Sequence, residues 1–196
     1  MTNIVDNYIA TFKEEINTFL NQVDKKQLEE VANIILKASK NNHRLHFTGI
    51  GKPSYVAKYM ASLYSSTGTP AYFLDGTETV HGSAGQTCPH DVVIAISNSG
   101  ETAELLHSIK TLKALDVTII AITSNPNSTL SNLANYHLYA GVHNEGDYLN
   151  KPPRLSIISE IILLQVLSLI LQKTNNLDKK TYLKWHPGGS IGKDLA

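Results

Sequence analysis

From Asn41-Asn42 onward the chain repeats one pattern, a short apolar run followed by a longer segment with helical periodicity. The apolar runs are Arg44 to Thr48, Ala71 to Leu74, Val92 to Ile96, Val117 to Ile122 and Tyr136 to Ala140. Strands that alternate with helices pair in parallel, because each crossover returns the chain to the same end of the sheet and leaves a helix over one of its faces. The expected fold is therefore α/β, a five-stranded parallel sheet flanked by helices on both faces. Two amphipathic helices, about Ile4 to Leu20 and Lys25 to Lys40, precede the sheet, with Ile16, Phe19, Leu20, Val31, Ile34 and Ile35 at helical spacing. At 196 residues, a single domain spanning 1–196 is the economical organisation. It divides into an N-terminal helical segment (1–40), a sheet core (44–174) and a C-terminal segment (178–196).

In parallel sheets of this kind ligands collect beyond the carboxyl ends of the strands. Three polar loops fall at such ends: Gly49 to Ser54, Ser97 to Thr102 and Thr123 to Ser128. The second carries the most chemistry. A buried strand, Val92 to Ile96, empties into Ser97-Asn98-Ser99-Gly100-Glu101-Thr102, which opens a helix. The first helical turn has unpartnered N–H groups and the positive end of the macrodipole, so an anion placed there gains donors and a favourable field. Ser97, Ser99 and Thr102 add hydroxyls, Asn98 adds an amide, and Gly100 lets backbone approach a ligand without a Cβ in the way. An ordinary serine cap is the plainer alternative. The cluster of four polar side chains around one glycine favours a phosphate site.

Residues suited to proton transfer lie elsewhere in the chain. Lys52 follows Gly49-Ile50-Gly51 and precedes Pro53 and Ser54, on a strand-to-helix turn that places a cation, with Gly51 and Ser54 beside it, at the same sheet edge; a solvated surface lysine reads equally well. His81 sits in a glycine-containing loop, Glu78 to Gly85, as a loop residue or a catalyst. Glu101 and Glu104 share a face at the start of one helix, where one of them also suits capping. Glu145 follows the last strand, at the edge where ligands collect, and is the carboxylate best placed for a general base. His186, fixed by Pro187-Gly188-Gly189, is a second proton carrier or part of a structural turn. The set His143, Glu145 and Asp147 lies in a Gly- and Asn-containing loop that does not suit a metal.

Charge narrows the class of partner. Lys plus Arg and Asp plus Glu number 17 each, so no net field draws the chain to nucleic acid or an anionic membrane, and an anionic small molecule must be caught locally. The single Cys88 excludes an internal disulfide, and the polar N-terminus lacks an apolar signal core. Both point to a cytoplasmic setting. The apolar stretch Leu155 to Leu171 carries Ser156, Ser159, Glu160, Gln165 and Ser168 and reads as a core or subunit-interface helix rather than a membrane span.

Taken in order, Gly49-Ile50-Gly51-Lys52, Ser65 to Ala71, Glu78-Thr79-Val80-His81-Gly82, Asp91 to Glu104 and His186-Pro187-Gly188-Gly189 resemble the sugar isomerase (SIS) domain, in its arabinose 5-phosphate isomerase branch, over nearly the whole chain. The resemblance implies a five-stranded parallel sheet between helices, assembled as a homo-oligomer, usually a tetramer, with sites shared between chains. It implies a phosphate loop on Ser97, Asn98, Ser99 and Thr102, an active-site lysine at Lys52, histidines at His81 and His186, and glutamates at Glu104 and Glu145. The implied reaction interconverts an aldose phosphate and a ketose phosphate through a cis-enediol, with no metal or other cofactor. Glu145 would move the proton between C1 and C2, His81 and His186 would handle hydroxyl protons, and Lys52 would steady negative charge. A hexulose 6-phosphate isomerase and a phosphosugar sensor without catalysis are the competing readings. The branch usually continues into paired CBS domains after His-Pro-Gly-Gly, whereas this sequence ends at Ala196 and the expectation is a single-domain form. It also departs after Glu145, where the family's Pro-Leu-Gly-Leu-Ala-Pro-Thr-Ser-Ser is replaced by Tyr148-Leu149-Asn150-Lys151-Pro152-Pro153-Arg154-Leu155-Ser156.

Overall fold

A computed structural model describes residues 2–188. Two helices lead the chain, α1 (Thr2–Gln22) and α2 (Lys25–Lys40). The turn between them is fixed by Asp24, whose carboxylate accepts the amides of Lys26 (2.9 Å) and Gln27 (3.1 Å) and so supplies partners that the first turn of α2 lacks. The sheet follows as β1 (Leu45–Gly49), β2 (Ala71–Phe73), β3 (Val92–Ile96), β4 (Thr118–Thr123) and β5 (Tyr136–Tyr139), interleaved with α3 (Lys52–Ser66), α4 (Ala103–Ala114) and α5 (Thr129–Leu133). Two 3-10 turns, Glu78–His81 and Ser83–Gln86, fill the β2–β3 connection. The chain closes with α6 (Leu155–Thr174) and α7 (Lys179–Trp185).

All strand pairs are parallel, in the order β2-β1-β3-β4-β5. The expected strands are present, Val92–Ile96 with the expected bounds and the others with one or both ends shifted by a residue. Arg44 stays outside β1: its amide donates to the Asp91 carboxylate (2.7 Å) and its guanidinium to the Gln86 carbonyl (3.0 Å).

Strand side chains alternate between two cores, as the pleat requires. On one face Val92, Ile94 and Ile96 meet α2, α3 and α6 together with Phe47, Ile120 and Leu138. On the other, Val93 and Ala95 meet Leu105, Ile109 and Leu112 of α4 and Leu130 of α5. Burying each large aliphatic side chain contributes roughly 1.5–3 kcal/mol, which is why β3, buried along its whole length, is the best-marked strand in the sequence.

The order of the strands locates the site. From β1 the chain winds outward to β2, then crosses back to β3 on the other side of β1, so the winding reverses between β1 and β3. Gly49 pairs with Ile96 at the carboxyl end of that step. The loops leaving β1 and β3 splay apart there, over opposite faces of the sheet, and leave a crevice.

Helix α6 is long and apolar enough, by length and composition, to cross a membrane, yet half of it is buried within the chain. Leu163, Leu164, Leu167 and Leu171 enter the core, Tyr64 donates its hydroxyl to the Leu164 carbonyl (2.7 Å), and the Ser159 hydroxyl donates to the Ala140 carbonyl (3.2 Å). Its first turn lies at the carboxyl edge of the sheet. Its far end reaches the opposite edge, where Asn175 donates to the Gly68 carbonyl (3.2 Å).

Candidate active site

The loop after β3 is a compact hydroxyl cradle. The Ser97 and Thr102 hydroxyls stand 3.2 Å apart, and the Gly100 amide donates to both the Ser97 carbonyl (3.1 Å) and the Ser97 hydroxyl (3.2 Å). Gly100 has φ +67°, and a Cβ there would collide with the Ser128 side chain, so both conformation and space require glycine. Thr102 precedes α4 without capping it. The donors of the first α4 turn are thereby left for another acceptor, at the positive end of the helix. The Asn98 side-chain oxygen is buried with no partner, a costly condition in a protein interior.

This cradle forms one wall of a cleft of about 230 Å³. Ser97, Asn98, Ser99 and Thr102 line it from β3, Ile50 and Pro53 from the β1 turn, and Glu145, Lys151, Pro153, Ile157 and Glu160 from the chain after β5. The structure therefore brings together the four predicted phosphate-loop residues and Glu145. Larger clefts, of about 370 and 400 Å³, lie at the opposite sheet edge around His43 and gather none of the predicted site residues.

Glu145 is held more firmly than a free base would be. Its Oε2 accepts the amides of Arg154 (2.7 Å), Leu155 (2.7 Å) and Ser156 (3.1 Å), so this carboxylate caps the start of α6. The loop between them is tied down as well: the Asn150 side chain accepts the Glu145 amide (2.7 Å) and donates to the His143 carbonyl (3.1 Å), and Glu15 of α1 accepts the His143 amide (2.7 Å). Arg154 pairs with Asp147 across the same loop. No group of three or more His, Cys, Asp or Glu side chains is placed to hold a metal ion among the described residues.

Two charged residues of the cleft were not singled out as site residues from the sequence. Lys151 brings a cation to the cleft beside the hydroxyl cradle. Glu160, on the second turn of α6, is fully buried, and neither carboxyl oxygen has a partner. Burial, and then the negative charge of Glu145, push its pKa up to about 8. Its single sequence signal was a lone carboxylate in an otherwise apolar helix.

The remaining candidates stand around the cleft. Lys52 opens α3 and lines an adjoining cleft of about 290 Å³ that shares Pro153 and Ile157 with the first. Gly51 (φ +64°) precedes α3, and the Ser54 hydroxyl turns back to the Gly51 carbonyl (2.7 Å) instead of facing the cleft. His81 is exposed at the end of the first 3-10 turn, and Glu104 is exposed on the first turn of α4. Glu104 lies one turn before Ser108, whose hydroxyl donates to the Gly76 carbonyl, so it flanks the loop that carries His81 rather than the cleft. Glu101 caps α5 through the Thr129 amide (2.7 Å), a bond that lowers its pKa. His186 follows α7 and stacks on Tyr182 at 4.1 Å, with Nδ1 2.8 Å from the Tyr182 carbonyl; it does not line the cleft. Gly189 and the rest of the C-terminal segment lie outside the described residues.

A parallel doubly wound sheet with a hydroxyl cradle on an uncapped helix start, facing two carboxyls at the winding reversal, defines an α/β domain whose crevice offers the donors an anion takes. The SIS domain model matches residues 39–169, and the chain belongs to that family. It is 38% identical over 198 aligned residues to the arabinose 5-phosphate isomerase KdsD of Francisella tularensis subsp. tularensis, a match covering 100% of this chain and 60% of the relative. To KdsD of Escherichia coli K12 it is 37% identical over 147 residues, 75% of this chain and 45% of that protein. The chain thus spans about half to three fifths of the length of these two relatives. Among solved structures, Escherichia coli CFT073 c3406 in complex with arabinose 5-phosphate superposes with a TM-score of 0.80 at 31% identity, covering 95% of each chain.

Proposed function

We propose that the protein is a phosphosugar aldose–ketose isomerase acting on a pentose 5-phosphate of the arabinose 5-phosphate/ribulose 5-phosphate type. The observation that carries this reading is the shared cleft: an uncapped α4 start with the hydroxyls of Ser97, Ser99 and Thr102 on one wall, and Glu145 on the other. The phosphate sits on the cradle, where hydroxyls and helix-terminal amides donate to it, and Lys151 adds a positive charge. The sugar chain extends toward Glu145. Its carboxylate is the base that moves a proton between C1 and C2, and the three amides on Oε2 fix its direction. No metal is needed for that transfer. The relatives named as arabinose 5-phosphate isomerases and the c3406 complex with arabinose 5-phosphate support this choice of substrate class.

Lys52, His81, Glu104 and His186 lie on the surface around or away from the cleft, so in this reading they act in a homo-oligomer of two or four copies whose sites are shared. Exposed Tyr55, Tyr59, Val166 and Leu169 on α3 and α6 supply apolar surface for such an assembly. A reducing, cytoplasmic setting suits the single Cys88.

The test is incubation with arabinose 5-phosphate, ribulose 5-phosphate and a panel of other pentose and hexose phosphates, with Glu145→Gln as control. Turnover on the five-carbon pair, lost in the variant, is expected. Faster turnover on a hexulose 6-phosphate changes the sugar, and an inert wild type retires the isomerase reading.

A further inference from the structure

A carboxylic acid buried without a hydrogen bond is an expensive feature, and it persists only where something repays it. Glu160 is such a group. It lines the cleft across from the hydroxyl cradle, with both oxygens unpartnered, on the helix whose start Glu145 caps. Neither histidine expected to manage hydroxyl protons lines this cleft; Glu160 does.

We propose that Glu160 is the acid partner of Glu145, a protonated carboxyl that gives its proton to the sugar oxygen where charge develops and takes one back from the neighbouring oxygen. The step rests on the isomerase reading above and balances in both half-reactions. The Glu145 carboxylate removes the proton on C2 while the Glu160 carboxyl protonates O1, which turns the C1 carbonyl into an enediol. Glu145 then returns its proton to C1 while the Glu160 carboxylate removes the proton from O2, which forms the C2 carbonyl. Both side chains end in their starting states.

The environment divides the roles. Helix-start amides donate to Glu145 Oε2, whereas burial and the Glu145 charge keep Glu160 neutral near pH 7, with a pKa of about 8. Of the charged or titratable groups near it, Glu145 and Lys151 line the same cleft, Lys52, Tyr55 and Tyr59 line the adjoining one, and Tyr64 of α3 packs on α6 one turn further along. Among these, the charge that acts on Glu160 is that of Glu145.

Because the acid must be protonated in the free enzyme, kcat/KM of the wild type should fall as pH rises through about 8. Glu160→Gln should lower kcat by about 10²-fold or more with little change in KM, and should abolish that alkaline limb. A variant that merely loosened the fold would keep the limb. Should Glu160→Gln fail to fold, the wild-type profile alone decides: a flat kcat/KM between pH 7 and 9 overturns the assignment. Wild-type turnover with an unaffected Glu160→Gln enzyme overturns the role of Glu160 and leaves the isomerase reading standing. A wild type inert on every sugar phosphate overturns both.

Discussion

Glu145 Oε2 stands 2.7 Å from the amide of Leu155, so the carboxylate proposed as the base is also the N-terminal cap of α6. One side chain thus joins the chemistry of the cleft to the start of a long core helix. Changing it should disturb activity and stability together, and the size of each effect depends on what replaces it.

Glu145→Gln keeps an oxygen for the α6 amides and loses the basic carboxylate. Turnover should drop about 10²- to 10⁴-fold with a small loss of stability. Glu145→Ala removes the cap as well, and urea denaturation should show a further loss of about 1–2 kcal/mol. Equal stability of the two variants would contradict the capping role.

Gly100→Ala should destabilise the protein by about 1–3 kcal/mol and weaken sugar-phosphate binding, because φ +67° and the Ser128 side chain in the path of the new Cβ both oppose it. Gly85→Ala is the control: nothing lies within 4 Å of a Cβ there. Thermal melts and calorimetric titration with the sugar phosphate separate the two.

Ser97→Ala and Thr102→Val each remove a hydroxyl from the cradle. KM should rise about tenfold or more in either, since a hydrogen bond to a charged group contributes roughly 1.5–3 kcal/mol. Lys151→Gln should raise KM as well, and its effect should shrink in high salt.

The contribution of Glu160 to stability should fall as pH rises from about 4.5 to 8, against the buried His46 and the half-buried His137, whose lowered pKa values add stability as pH rises over the lower part of that range. Glu160 ionises near 4.5 when unfolded and near 8 when folded, so the folded state binds more protons in this window and raising pH favours unfolding. The loss is on the order of a few kcal/mol. In Glu160→Gln that dependence should vanish, leaving the variant more stable than wild type at pH 8. In Glu145→Gln the steep region should end at lower pH, because the repelling charge is gone. Identical pH profiles for wild type and Glu160→Gln would contradict the buried acid.

The sheet was legible because β3 and β4 carry continuous Val/Ile runs, apolar on both faces, that leave little choice of element; β1 is buried along its length as well, but sets His46 and Thr48 on one face. The cradle was legible because its residues are consecutive. The other wall was less so: Glu145 could be placed at the ligand edge, but its capping bonds depend on a loop that folds back to meet α6 nine to eleven residues later. Glu160 was hidden for a similar reason. A single glutamate in an apolar helix marks an interface as readily as a site, and its meaning emerges when the first turns of α6 are set beside the β3 loop. His81, Glu104 and His186 stand in recognisable motifs, yet a motif carries no coordinates, and within one chain the fold leaves them outside the cleft.

The most direct measurement follows the C2 proton of arabinose 5-phosphate by proton NMR in deuterated water. Wild-type protein should wash that proton out while ribulose 5-phosphate accumulates, and Glu145→Gln should do neither at a comparable rate. Tight binding of the sugar phosphate with its C2 proton intact would contradict an active site in this cleft and leave a phosphosugar-binding domain in its place.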